Sequence, residues 1–64
     1  MNLIEGLHEE LKRNREILVM YKEIPAGVFG ATMIQAAINR AEKSISDGDT
    51  VAMLVSLGEL KETE

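Results

Sequence analysis

Apolar residues in the first part of the chain recur as Ile4, Leu7, Leu11, Leu18 and Tyr21, with Asn14 in the slot between Leu11 and Leu18. Steps of alternately three and four place them all on one face of a helix. The same alternation returns as Ala31, Ile34, Ile38, Ala41 and Ile45, and the every-other-residue pattern of a half-buried strand is absent. The chain is therefore expected to be all-α, and its interruptions set the number of helices. At Ile24-Pro25-Ala26-Gly27, proline disfavours helical geometry in the residue before it but suits the opening turn of a new helix. At Asp47-Gly48-Asp49, Gly48 suits the left-handed position that ends a helix and Asp49 the cap that begins the next. Helices over about 2–23, 26–46 and 50–61 follow, with Glu62-Thr63-Glu64 a polar tail. The expectation is a single domain over 1–64: an antiparallel helical hairpin, a shorter third helix folded across it, and completion by self-association.

Each helix has its own character. Asn2 suits the first cap, with Glu5 at capping-box spacing. Leu3, Ile17 and Ile24 widen the apolar stripe, while Glu5, Glu9, Glu10, Lys12, Arg13, Arg15 and Glu16 read as a solvated face, Glu9 preceding Arg13 by four. The second helix is narrow, because Ala26, Gly27, Gly30, Ala31, Ala36, Ala37 and Ala41 let a neighbour approach closely. Phe29, set among them, is expected to fill a pocket on another element. In the third helix Val51, Met53, Leu54, Val55, Leu57 and Leu60 spread over more than half the circumference, which implies burial on two sides, within the monomer and against a second chain. Gly58 there marks a close contact or an early fraying point. The predicted core is Leu7, Leu11, Leu18, Tyr21, Phe29, Ile34, Ile38, Ala41, Ile45, Leu54 and Leu57, and Met20, Met33 and Met53 read as pliable fillers of a core or a binding groove.

Size and composition narrow the function. The gain from burying apolar surface and the cost of ordering 64 residues nearly cancel, so a lone monomer is expected to be marginal and a partner chain is the natural remedy. The absence of Cys excludes a disulfide framework, a thiolate zinc site and a cysteine nucleophile, and makes a reducing cytoplasm the default. No run of apolar residues is long enough to span a membrane, and Met1-Asn2-Leu3-Ile4-Glu5 lacks the basic start and apolar core of a signal peptide, so a soluble, unprocessed chain is expected. A net charge of −4 with one Tyr, one Phe and no Trp argues against a nucleic-acid surface built on phosphate neutralisation or base stacking.

No constellation of catalytic chemistry emerges. His8 is the only histidine and has no second ligand nearby in sequence, and Ser44, Ser46 and Ser56 lie in no nucleophile motif. Asp47-Gly48-Asp49-Thr50 resembles the start of a calcium loop, but Val51, Met53 and Gly58 stand where oxygen ligands belong. Gly27-Val28-Phe29-Gly30-Ala31-Thr32 lacks the lysine of a phosphate loop. A non-enzymatic interaction module, homodimeric and without cofactor or metal, is the reading that follows. Its interface candidates are Asn14, Phe29, Met53, Val55, Leu57 and Leu60, for a second copy and for a protein partner. Asn14 in the seam either sets the register of self-association or faces water. The alternative is a small nucleic-acid-binding regulator using Lys12, Arg13 and Arg15, a cluster that Glu9, Glu10 and Glu16 flank and weaken.

The block Tyr21-Lys22-Glu23-Ile24-Pro25-Ala26-Gly27-Val28-Phe29-Gly30-Ala31-Thr32-Met33-Ile34, followed by Ala41-Glu42-Lys43 and Gly48-Asp49-Thr50-Val51-Ala52-Met53-Leu54, resembles a group of small uncharacterised helical proteins of bacteria and bacteriophages. The likeness covers nearly the whole chain. It implies a bacterial or prophage origin, where short acidic helical proteins act by binding a host or phage protein, and it carries no activity and no functional residues.

Overall fold

The computed structural model describes residues 2–64, in which three α-helices follow one another: α1 (Leu3–Lys22), α2 (Val28–Asp47) and α3 (Thr50–Lys61). Met1, the first residue of the 1–64 domain and of the N-terminus read above, lies outside the described residues, among which there is no strand. The local signals act where they stand. The Asn2 side-chain oxygen accepts from the Glu5 N–H at 2.9 Å and caps α1. Pro25 holds Ile24 extended, which ends α1. The helix that follows starts later than expected, because Pro25–Gly27 close as a 3₁₀ turn with the Gly27 N–H donating to the Ile24 carbonyl at 2.8 Å. Gly27 is needed there, since a Cβ would collide with the Tyr21 carbonyl oxygen.

At the second reversal Gly48 adopts φ 65°, its N–H donates to Ile45 O at 3.1 Å and that of Asp49 to Ser44 O at 3.1 Å. These two bonds satisfy carbonyls at the end of α2. The Asp49 carboxylate then accepts from the Ala52 N–H at 3.1 Å, so α3 starts without a loop.

The helices run up, down and up. Arg15 of α1 reaches Glu42 of α2, Arg40 of α2 reaches Glu59 of α3, and Tyr21 at the end of α1 reaches Glu64. The core between them consists of Leu7, Leu11 and Leu18 from α1, Ala31, Ile34, Ala37, Ile38 and Ala41 from α2, and Met53 and Leu60 from α3. Leu3, Ile17, Tyr21, Ile45 and Leu57 pack at its margin.

Two expected core residues are not in it. Phe29 is 78% exposed and Leu54 is 57% exposed. The aromatic ring on the narrow part of α2 comes from α1 instead: a Cβ on Gly30 would lie 2.6 Å from Tyr21 Cε2, so Tyr21 fills the space that the missing side chain leaves. Phe29, one residue or about 100° round the helix, is turned outward. Leu54 is likewise one step off the line Met53, Ser56, Leu60 that faces the core.

Candidate protein-binding surfaces

Two residues singled out on α1 have inward tasks. The last carbonyls of a helix lack donors within the helix, and at the end of α3 they are met by side chains of α1. Arg13 Nη2 donates to Leu60 O at 2.7 Å, Nη1 to Thr63 O at 2.8 Å, and Nε to the Glu10 carboxylate at 2.8 Å. Asn14 Nδ2 donates to Glu10 O at 2.7 Å and Leu60 O at 3.1 Å. Asn14 has no exposed surface, which corrects both expectations for it: it neither meets a second chain nor faces water, but ties α1 to α3. With both Nδ2 partners being carbonyl oxygens, Asn14 Oδ1 is left buried without a donor among the described residues.

The basic cluster is dispersed in the same way. Arg13 is committed to the end of α3 and to Glu10 rather than Glu9, and Arg15 pairs with Glu42 at 3.1 Å. Of the three, Lys12 alone is exposed and outside any ion pair among the described residues. Met53 and Leu60 are also corrected as interface candidates: both are buried on the inner line of α3, and Leu57 is half-buried at the core margin. Phe29 and Val55 do stand on the surface.

Each belongs to an apolar surface larger than itself. The first is the outer face of α3, where Val51, Leu54, Val55 and Gly58 follow at helical spacing opposite the buried Met53, Ser56 and Leu60. A Cβ on Gly58 would meet nothing within 4 Å, and α3 continues past it to Lys61. The glycine therefore marks neither a contact within the chain nor a frayed end.

The second surface lies where α1 turns into α2, with Met20, Ile24, Val28, Phe29 and Met33 all more than half exposed. Beside it an open groove of about 320 Å³ runs between α2 and the chain's last residues. Gly30, Met33, Ile34 and Ala37 form its floor and Tyr21 its end wall. Tyr21 Oη donates to the Glu64 carbonyl oxygen at 3.0 Å and anchors the tail along the rim. Arg40 closes the other end, bonded to both Glu59 carboxylate oxygens at 2.7 and 3.3 Å. The Glu59 hydrogen bond and charge hold that guanidinium above its usual pKa. Glu62 and Glu64, also on the rim, have no ion-pair partner among the described residues.

Val28 is a surface residue that the sequence reading does not single out, whereas Val51 and Leu54 read as part of the broad apolar surface of the third helix, Leu54 also as core, and Met33 as a filler of a core or a binding groove. Their common signal is an apolar side chain standing off the seam of its own helix. Among the described residues no three His, Asp or Glu side chains converge as metal ligands, and His8 is exposed. Fold and surface define a small all-α three-helix bundle bearing two apolar faces, in which no described helix is long and apolar enough to cross a membrane. No protein-family model matches this chain, and no curated protein and no solved structure matches it either.

Proposed function

We propose that this chain is a non-enzymatic protein–protein interaction module that works as a homodimer in the cytoplasm, of the bacterial or phage origin that the resemblance implies. One observation carries the reading: the apolar residues of α3 spread over more than half its circumference, while its own core covers only one side. A helix of that composition belongs in an interior. The outer face is also self-complementary. A two-fold interface requires residue i to meet j and j to meet i, and Val51 and Gly58 are equidistant from the point between Leu54 and Val55. An antiparallel pair of α3 helices then seats each Val51 over its partner's Gly58, packs Leu54 against Val55, and opposes the two helix dipoles.

The face is short, so the contact falls at the small end of the range for specific interfaces, and a dissociation constant on the order of 50 µM is expected. Sedimentation equilibrium between about 10 and 500 µM tests it. The dimer fraction should rise across that range, and Val55→Asp, at a position already 59% exposed, should remain a folded monomer throughout. A wild-type chain that stays monomeric at the top of the range overturns the homodimer.

A further inference from the structure

We propose that the groove between α2 and the C-terminal residues is the docking site for a basic amphipathic helix of another protein. The proposal rests on the interaction-module reading, but it concerns a different face from the one assigned to the second copy. Met33, which lines the groove, and Phe29, the residue before the lining Gly30 on α2, stand more than half exposed, and the floor of Gly30, Met33, Ile34 and Ala37 carries no charge. From Gly30 to Arg40 the floor is about 15 Å long, which is two to three turns of a helix. That length accepts apolar anchors at i, i+3 or i+4, and i+7.

Charge selects the kind of helix. Glu62 and Glu64 stand on the rim without ion partners among the described residues, next to the C-terminus of α3 with its partial negative charge. Arg40, the one cation among the described residues that line the groove, is already neutralised by Glu59 at 2.7 Å. A helix entering here therefore gains from lysines or arginines flanking its apolar stripe and loses from carboxylates in those places. A second copy of this chain is a poor occupant, since it carries a net charge of −4 and would bring like charge to the rim. The exposed thioether of Met33 adapts to anchors of different shape.

The test uses the full chain, isotope-labelled for NMR, and three synthetic helical peptides of about 14 residues, enough for the groove and its ends. One carries leucines at i, i+3, i+4 and i+7 flanked by lysines. The second keeps the leucines but has glutamates, and the third keeps the lysines but has serines for leucines. The leucine–lysine peptide should bind in the tens of micromolar, about tenfold or more tighter than either of the others. Its shift changes should centre on Gly30, Met33, Ala37 and Glu62. The double variant Phe29→Ser/Met33→Ser should weaken it about tenfold. Glu62→Gln/Glu64→Gln should weaken it about threefold and flatten its salt dependence. All four positions bar none are at the surface or rim, so circular dichroism should read an unchanged fold.

Val55→Asp should bind the peptide as wild type does, which separates the groove from the homodimer: loss of one leaves the other measurable. Equal binding of the leucine–glutamate peptide, equal binding of the lysine–serine peptide, or shifts confined to Val51, Leu54 and Val55 would each overturn the proposal.

Discussion

The carbonyl of Leu60 is the point where α1 holds α3, and it takes three donors: Arg13 Nη2 at 2.7 Å, Asn14 Nδ2 at 3.1 Å and the Thr63 N–H at 3.3 Å. Sharing one acceptor makes the two side chains partly redundant. Asn14→Leu gives up one bond but also removes the partnerless Oδ1 and adds buried apolar surface, so stability should stay within about 1 kcal/mol of wild type. Because Asn14 is buried inside the chain, sedimentation should be unaffected. Arg13→Ala loses the bonds to Leu60, Thr63 and Glu10 at a side chain 39% exposed, which should cost about 1–2 kcal/mol after allowing for solvent screening. The double variant leaves Leu60 with its longest bond alone. Its loss of stability should exceed the sum of the two single losses by about 0.5–1 kcal/mol in urea unfolding. Strict additivity would mean that the two side chains do not share this carbonyl.

At the level of helices, the two glycines that face neighbouring space differ in sign. Gly58 has open solvent above it, so Gly58→Ala should stabilise the monomer by up to about 1 kcal/mol through helix propensity, while weakening the α3 pairing severalfold by filling the seat for Val51. Gly30 has the Tyr21 ring above it, so Gly30→Ala must displace the ring and strain its bond to Glu64, with an expected loss of about 1–3 kcal/mol. Thermal melts at low concentration, read beside sedimentation, check both. The contrast also shows what was legible from residue order. Asn2, Gly48 and Asp49 act on backbone within a few residues of themselves, so their roles follow from sequence, as do the seams that put Leu7, Leu11, Ile34 and Ile38 inside. Periodicity says which residues share a face but not what the neighbour brings to it. Tyr21 claimed the space over Gly30, and Phe29 was left outside. Arg13 looked solvated for a similar reason, since its partners lie 47 and 50 residues away.

For the molecule as a whole, the accessible surface is 4343 Å², against about 4,100 Å² expected for a compact monomer of this mass. The single chain thus closes its own core, and most of the apolar surface it leaves uncovered lies on two faces, with Val19 and Ile4 exposed on α1 besides. Dimerisation should add to a fold that already stands, which changes how stability depends on concentration. An obligate dimer would unfold and dissociate in one step, with a midpoint that keeps falling on dilution. Here the midpoint should be flat near 1 µM, well below a dissociation constant on the order of 50 µM, because monomers alone are melting. At about 500 µM, mass action should add roughly 1 kcal/mol, a rise of about 4–8 °C for a domain of this size. Val55→Asp should show the low-concentration midpoint at every concentration, since its face cannot pair. A midpoint that still declines between about 5 and 1 µM would show that the monomer does not fold alone. A midpoint that never moves would remove the pairing of α3 while leaving the three-helix core as described.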